Sequence, residues 1–404
     1  MKLPAKQMFL ASEFAWWLLT GTMGLVSMLY MIELAQLNAL ELVLVGTALE
    51  LGAFLFEVPT GVFADTRSRR LSVITGFFIS GIAFMIMASQ PVFWSIALGS
   101  FIWGIGWTFI SGAHQAWLAD EVGVLEAAPV YLQAQKVGSY ASILAVFIAV
   151  PLGLVHLAYP ILLAGVLLVG WSLVAFVAMA EEHFEPAKVT GFEAAAQTFT
   201  SGVRIVRGSS VLLLLMVVAV IVGAFSEGYD RLSMAHLLRD FDFPQPFGLE
   251  PVVIFGCLTL VGHIINIFLV RDLQARLNLQ DSRRIALTLS WLTGGVLVSV
   301  MAFALTGQVW LAIALYVVIS PLRRVCEPLA VAWMNPHIES SARATVLSLH
   351  SQADALGQIA GGPGVGVVGR EFGLRVAIAT SSLLLVPAIW LYSRHRAETE
   401  VTPP

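Results

Sequence analysis

The chain has 404 residues, of which 58% are hydrophobic and 12% are charged, and its formal net charge is −4. A soluble protein of this size carries far more charge, so the composition excludes a soluble domain and indicates a polytopic membrane protein. The two cysteines, Cys257 and Cys326, both lie in apolar runs, so neither a disulfide framework nor a metal cluster is expected.

Twelve apolar runs, separated by polar breaks, follow one another along the chain. A helix that spans a bilayer needs about 20 mostly apolar residues, and each run is of that order. The runs lie near 9–35, 40–63, 71–89, 92–119, 131–157, 160–180, 211–238, 251–275, 284–305, 308–334, 343–369 and 373–393. They predict an all-α membrane protein with twelve transmembrane helices.

A longer polar segment, 181–210, separates the sixth run from the seventh. It begins with acidic residues and continues with apolar residues at helical spacing, while Arg204 and Arg207 lie on another face. This pattern predicts an amphipathic helix on the membrane surface. The chain is therefore divided into an N-terminal six-helix bundle over 1–180, a cytoplasmic linker over 181–210 and a C-terminal six-helix bundle over 211–404.

The lysines and arginines are unevenly divided between the two sides of the predicted membrane. If the N-terminus is cytoplasmic, most of them fall in cytoplasmic segments, and only Arg239, Arg370 and Arg375 fall on the opposite side. Because cytoplasmic loops of membrane proteins are enriched in basic residues, both termini are predicted to be cytoplasmic.

The stretch from Gly61 to Arg70, GVFADTRSRR, is a short, strongly charged loop between two apolar runs, and it is called the charged loop below. It resembles the signature loop of the major facilitator superfamily, roughly G-x-x-x-D-R-x-G-R-[RK]. Thr66 and Ser68 stand where that pattern has Arg and Gly. The residues that match the pattern are Gly61, Asp65, Arg69 and Arg70.

The resemblance implies two pseudo-symmetric six-helix bundles that rock around a central site. In this family Asp65 would lie near the start of span eleven, where a helix N-terminus attracts a carboxylate. Arg69 would reach a carboxylate at the end of span four, a place that Asp120 occupies. These residues, with Glu57 just before the loop, are interpreted as a conformational gate. The alternative is that the arginines only fix the topology.

Within the superfamily the chain looks most like bacterial drug–proton antiporters. This likeness implies a monomer in the bacterial cytoplasmic membrane, with protons and a small molecule as partners and with neither nucleic acid nor a cofactor. The expected function is secondary active export of small amphipathic or drug-like molecules by alternating access. Proton-coupled uptake or facilitated diffusion of a small metabolite is the alternative. The sequence has no H-E-x-x-H, G-x-S-x-G or nucleotide-binding loop, so an enzyme is not expected.

Charged residues inside the predicted spans are functional candidates, because a charge at the centre of a bilayer is unfavourable. Glu227 and Arg231 are four residues apart in span seven, and so are Arg323 and Glu327 in span ten, which favours a pair within each helix. Such pairs leave Asp230 without a partner nearby in sequence. The alternative is a fixed salt-bridge network. The candidates for proton coupling or substrate binding are Glu50, Glu227, Asp230, Arg231, Arg323, Arg324, Glu327, His350 and Asp354.

Two of these candidates rest on particular patterns. Glu50 lies in the middle of span two with no basic residue near it in sequence, and a carboxylate in apolar surroundings can titrate near neutral pH. His350, Asp354 and Gln358 form a stripe at four-residue spacing, which would suit either a proton relay or hydrogen bonds between helices. His114, near the end of span four, is interpreted as structural.

Overall fold

A computed structural model describes residues 2–186, 192–276, 282–338 and 342–394 of the chain. Within these residues the architecture is helical, which confirms the predicted all-α class. The helices are α1 (Ala5–Leu29), α2 (Ala39–Thr66), α3 (Arg69–Ser89), α4 (Phe93–Val122), α5 (Val124–Val155), α6 (Ala158–Ala178), α7 (Phe192–Gly208), α8 (Ser210–Arg239), α9 (Pro251–Arg276), α10 (Ser282–Leu305), α11 (Val309–Met334), α12 (Arg343–Phe372), α13 (Leu374–Leu383) and α14 (Leu385–Arg394).

Ten helical segments of the described chain are long and apolar enough to cross a membrane. One of them combines α13 and α14, and another extends α1 through a π-helical turn, Tyr30–Leu34. Predicted spans eight and eleven do form the helices α9 and α12. However, within the described residues the apolar helix in α9 is Pro251–Asn266, which is shorter than the ten, and α12 is not among them. The count of twelve spans therefore stays a prediction.

Local capping explains where two of the long helices begin. The Asn38 side chain accepts a hydrogen bond from the Glu41 backbone N–H at 3.1 Å, and the Glu41 carboxylate accepts one from the Asn38 N–H at 2.9 Å. This reciprocal capping box starts α2. Ser68 caps α3 by accepting from the Leu71 N–H at 2.9 Å. Ser68 thus has a helix-capping role at the position where the family pattern has glycine.

The chain divides into two compact units. Unit 1 comprises residues 1–197 and 245–256, which include α1 to α6 and the first turn of α9. In it α4 packs against both α2 and α3, α6 packs against α3, and α5 packs against α1. Aromatic rings fill the space between these helices. Phe84 and Trp103 meet edge to face with centroids 5.2 Å apart.

Unit 2 comprises residues 198–244 and 257–404. Its helices α8 and α12 pack so closely that their backbones are in contact. A Cβ atom on Gly357 of α12 would lie 2.0 Å from the Val220 carbonyl oxygen of α8. Glycine is therefore required at this position, because any side chain would force the two helices apart.

The polar segment between the sixth and seventh apolar runs does contain a helix, α7 (Phe192–Gly208). Val206 on this helix is buried in the core of unit 2, whereas Arg204 and Arg207 are exposed. The described part of α7 therefore has a buried apolar residue on one side and exposed basic residues on another. Its buried face packs on unit 2 through Val206.

Candidate functional site

An ion pair between α8 and α11 is the most specific charged contact of unit 2. The Arg323 guanidinium of α11 donates to both carboxylate oxygens of Asp230 on α8, with 2.8 Å between Nη2 and Oδ2. The same guanidinium lies over the rings of Phe225 and Tyr229, 5.2 and 5.3 Å from their centroids. A two-pronged contact of this kind fixes both orientation and charge.

The pairing of Arg323 differs from the prediction made from spacing. The expected partner, Glu327, forms no ion pair with Arg323 or any other residue of the described chain. Asp230, expected to lack a nearby partner, is instead held from a neighbouring helix. Four-residue spacing allows Arg323 to reach Glu327 within α11. The planar guanidinium of Arg323 pairs instead with both carboxylate oxygens of Asp230.

The second predicted pair of α8 is present. Arg231 Nε lies 3.3 Å from Glu227 Oε2. The Glu227 side chain is only 2% exposed. A carboxylate buried this deeply is unfavourable unless a cation or a hydrogen bond compensates it, and Arg231 supplies that compensation.

Asp354 brings a third carboxylate to α8 from α12. Its Oδ2 accepts a hydrogen bond from Gln358 Nε2 at 2.7 Å, so two members of the predicted polar stripe are joined. A Cβ atom on Gly223 of α8 would lie 2.1 Å from the Asp354 carbonyl oxygen, and this glycine therefore permits the approach. His350 is half-buried one turn earlier, and no hydrogen bond joins it to Asp354 in the described residues.

These groups form one electrostatic cluster within unit 2. Asp354 is near enough to Arg323, Glu327 and Asp230 to interact with their charges. Arg324 likewise interacts with Asp230 and with Arg323. The cluster, called the charge cluster below, consists of Glu227, Asp230, Arg231, Arg323, Arg324, Glu327 and Asp354.

Part of the charge cluster reaches the surface of unit 2. Asp230, Arg324 and Glu327 are exposed, and the Asp230 side chain retains 49% of its accessible area. The carboxylates of Asp230 and Glu327 are therefore accessible on unit 2 and are not sealed in its core.

The charged loop of unit 1 contains a three-residue ion network. Arg69 Nη1 donates to Asp120 Oδ2 at 2.6 Å, and its Nη2 donates to Asp65 Oδ1 at 3.2 Å. The structure thus places Arg69 against Asp120, as the family resemblance implies. Gly61 has open space around the position of a Cβ atom, so its immediate neighbours do not require glycine.

Arg70 has a different set of contacts from Arg69. Its Nε donates to the Met179 carbonyl at 2.8 Å, and its Nη2 donates to the Phe176 carbonyl. Its backbone N–H donates to Glu181 Oε1 at 2.8 Å, while the Ser68 hydroxyl donates to Glu181 Oε2 at 2.6 Å. Arg70 therefore caps the carboxyl end of α6. Sequence reasoning grouped it with the gate and did not find this role.

The remaining carboxylates predicted in unit 1, Glu50 and Glu57, are both half-buried on α2. They are seven residues apart and lie on one face of the helix. In the described residues, neither takes part in the ion network of Arg69. They stay separate candidates.

A polar group that sequence reasoning overlooked lies between α1 and α4. Glu13 Oε1 is 3.1 Å from His114 Nδ1, and Glu13 Oε2 accepts from Trp17 Nε1 at 3.1 Å. His114 is only 3% exposed, and its Nε2 atom has no hydrogen-bond partner in the described chain. The overlooked signal was simple, because Glu13 is an acidic residue in the first apolar run.

Comparisons with known proteins agree on the architecture. No protein-family model matches the sequence. The chain is 24% identical over 391 residues to the uncharacterized MFS-type transporter YxaM of Bacillus subtilis (strain 168), and the match covers 92% of each protein. The solved nucleoside transporter NupG, in a mutant form, superposes with a TM-score of 0.76 at 12% identity, covering 96% of this chain and 98% of NupG.

Two further solved transporters have the same architecture. A POT family transporter in complex with 5-aminolevulinic acid gives a TM-score of 0.72 at 11% identity, covering 95% of this chain and 94% of that one. A bacterial homolog of the human lysosomal transporter Spinster gives 0.70 at 12% identity and covers 97% of each chain. The chain has the major facilitator fold.

The charge cluster lies in the second half of this fold. Spans of the second half of the major facilitator fold carry all seven of its residues, on α8, α11 and α12. The proteins that resemble the chain are transporters and not enzymes, in agreement with the expectation from sequence. The described residues also contain no group of three or more His, Cys, Asp or Glu side chains that could hold a metal ion.

Proposed function

We propose that the chain is a secondary active transporter that moves a small molecule by alternating access and couples this movement to protons. The observation that carries the proposal is the bidentate Asp230–Arg323 pair at the surface of the charge cluster. Similarity to an MFS-type transporter, together with the shared fold, supports the part of the proposal that concerns transport across a membrane.

The pair provides a physical route to coupling. A proton that binds Asp230 removes the negative charge that holds Arg323, so the guanidinium loses its counter-charge. The free energy of the conformation that places Arg323 beside protonated Asp230 then rises. A conformation in which Arg323 contacts another carboxylate becomes favoured. Asp354 is a candidate for that second carboxylate, since it already interacts with the charge of Arg323. Protonation would thus shift the balance between two states.

We further propose the direction of transport. The resemblance of the chain to bacterial drug–proton antiporters favours export of amphipathic or drug-like molecules in exchange for protons. Uptake of a metabolite is a second candidate, because the solved transporters of the same fold include a nucleoside transporter and a POT family member. In either case we propose a monomer in the bacterial cytoplasmic membrane with both termini cytoplasmic.

The test is proton movement driven by substrate. Purified protein is placed in liposomes that contain a pH-sensitive dye, a proton gradient is imposed, and a panel of drugs, nucleosides and short peptides is added. Loss of the gradient that depends on a compound supports proton coupling, and its direction separates export from uptake. Flux of radiolabelled compound without proton movement would contradict coupling. Liposomes without protein and liposomes with Asp230→Asn are the controls.

A further inference from the structure

A buried histidine near the end of α8 lies between two oxygen atoms. The His236 side chain has no exposed area, and its Nδ1 atom is 2.7 Å from Oδ2 of Asp240, the residue directly after α8. Its Nε2 atom is 3.3 Å from the Phe303 carbonyl oxygen of α10. Each ring nitrogen of His236 is therefore within hydrogen-bond distance of an oxygen.

These two contacts need one proton more than a neutral imidazole carries. A carbonyl oxygen only accepts, so Nε2 must carry a hydrogen to bond with Phe303. In a neutral ring, Nδ1 would then direct a lone pair at the Asp240 carboxylate. The other neutral tautomer would direct the Nε2 lone pair at the carbonyl. Both hydrogen bonds form together only when His236 and Asp240 share an additional proton.

Positive charges near Asp240 favour the imidazole ring as the place of that proton. Arg375 of α13 donates to the Asp240 carbonyl at 3.4 Å, and its Nε atom is 3.9 Å from Asp240 Oδ2. Arg239 also interacts with the charge of Asp240. These cations favour an ionised carboxylate, which in turn compensates a buried imidazolium. The C-terminus of a helix, where carbonyl groups are left over, favours a cation as well.

The other surroundings of His236 are mainly aromatic. The ring contacts Phe241 and Phe303 edge to face, with centroids 5.1 and 5.0 Å away. Titratable side chains toward this end of unit 2 are Tyr229 on α8, Asp242 after it, Tyr316 on α11, and Arg370 and Glu371, which pair with each other at the end of α12. Those of α10 and α14, at the other end of unit 2, are Arg283, Arg284, Tyr392 and Arg394. Asp240 is thus the acidic group in contact with the ring.

We propose that His236 and Asp240 form a proton-binding site that is separate from the charge cluster, and that the bound proton joins α8 to α10. His236 lies six residues beyond Asp230, or about 9 Å along the helix axis. Loss of the proton leaves the ring with one hydrogen bond and one lone pair against an oxygen, which weakens the contact with Phe303. The Asp240 side chain keeps 28% of its area exposed, which gives the proton a route to the site.

This site does not depend on the transported substrate or on proton uptake by Asp230. The topology predicted from the lysines and arginines places this end of α8, with Arg239, on the non-cytoplasmic side. The proton would therefore exchange with that side of the membrane.

Nitrogen NMR reads the protonation state of the ring directly. The full chain, isotope-labelled at histidine nitrogen, is reconstituted in lipid and studied from about pH 5.5 to about pH 8.5, on both sides of the usual histidine range. The signal that disappears in His236→Gln identifies His236. At the acid end both of its nitrogens should show the shifts of N–H groups. A ring with one unprotonated nitrogen over the whole range would overturn the proposal.

Two acidic residues provide a matched comparison. Asp240→Asn should weaken binding of the second ring proton at least about tenfold, because the imidazolium loses its charged partner. Asp242→Asn, at an exposed position two residues further on, should titrate like the wild type. If His236→Gln does not fold, the signal that responds to Asp240→Asn and not to Asp242→Asn identifies the ring. Equal titration of His236 in both variants would overturn the proposal.

Thermal unfolding is a second measurement, and its sign is defined. The folded chain holds the proton between His236 and Asp240, whereas the unfolded chain lacks this arrangement. The stability that the wild type gains over His236→Gln should therefore be largest at acid pH and should decline as the pH rises through the histidine range. A difference in unfolding midpoint that stays the same at every pH would show that His236 contributes packing alone, and would contradict the proposal.

Discussion

At the scale of single residues, the chain keeps charges within its membrane segments by pairing them, once between two helices and once within a helix. Asp230 and Arg323 satisfy each other through two hydrogen bonds, and Glu227 has Arg231. Glu327 belongs to the same cluster but forms no ion pair within the described chain. This difference between Asp230 and Glu327 offers a matched comparison, because both carboxylates are exposed on unit 2.

Asp230→Asn should reduce gradient-driven transport at least about tenfold, because the amide cannot change charge and Arg323 loses its counter-charge. Exchange that does not require a proton gradient should persist. Both rates are measured in liposomes with and without an imposed gradient. Glu327→Gln is the matched control and should keep a larger share of the driven rate. Full gradient-driven transport by the Asp230 variant would remove this residue from the coupling mechanism.

The stability of the pair can be tested separately from its function. Asp230→Asn alone should lower the free energy of unfolding by about 1–3 kcal/mol, because Arg323 is left only partly compensated. The double variant Asp230→Asn/Arg323→Gln should recover much of that loss, since no uncompensated charge remains. Denaturant unfolding in detergent measures both. Arg323→Gln alone completes the comparison. If the double variant loses as much stability as the two single variants added together, the ion pair contributes no coupling energy.

Glu13 in unit 1 makes a prediction of the same kind. Replacing it with Ala leaves the Trp17 indole N–H and the His114 ring without their acceptor, and His114 is almost fully buried. Glu13→Ala should therefore destabilise the protein by about 1–3 kcal/mol. Glu13→Gln, which keeps one acceptor oxygen, should lose less. Thermal unfolding midpoints of the wild type and the two variants are compared. If both variants unfold at the wild-type midpoint, the hydrogen bonds of Glu13 contribute nothing to stability.

At the scale of helices, the approach of α8 and α12 determines where Asp354 lies. Small residues allow the two backbones to meet, and Asp354 therefore enters the cluster from α12. Glycines in a membrane helix permit close helix approach, and α12 is rich in them. Sequence alone does not indicate which of these glycines are in contact, because that depends on how each helix is rotated about its axis.

Two glycines of α12 test this packing. A Cβ atom on Gly357 would lie 2.0 Å from the Val220 carbonyl oxygen, whereas Gly364 has nothing within 4 Å. Gly357→Ala should destabilise unit 2 by about 1–3 kcal/mol through overpacking. Gly364→Ala should be neutral or gain up to about 1 kcal/mol from helix propensity. Unfolding midpoints in one detergent give the comparison, and equal effects at the two positions would contradict the described helix contact.

The helices themselves were predictable, and the charge contacts between them were not. Bilayer thickness forces apolar runs of a fixed length, so hydropathy alone locates most of the helices. α12 was harder, because its glycines and polar residues lower its hydropathy. Sequence spacing identifies partners four residues apart, such as Glu227 and Arg231. It cannot identify Asp230 and Arg323, which are 93 positions apart and meet only after α8 and α11 have packed.

At the scale of the whole molecule, the charged loop of unit 1 is the proposed conformational gate. Arg69 is held by Asp120 at 2.6 Å and by Asp65 at 3.2 Å, so the stronger of its two contacts lies within the body of unit 1. The Asp65 side chain keeps 57% of its accessible area. Asp65 is therefore nearly dispensable for the stability of this state, since exposed ion pairs contribute only about 0–1 kcal/mol.

A residue that contributes little to stability but much to transport would have its function in another conformation. Asp65→Asn should leave the unfolding midpoint nearly unchanged and should slow transport several-fold, because a contact specific to a second state is lost. Asp120→Asn should both slow transport and lower stability, since Arg69 also loses its closest partner. Transport rates are measured in liposomes and unfolding in detergent. If Asp65→Asn transports at the wild-type rate, the loop serves topology alone. If both variants are destabilised in proportion to their lost activity, the ion network supports the fold and does not act as a gate.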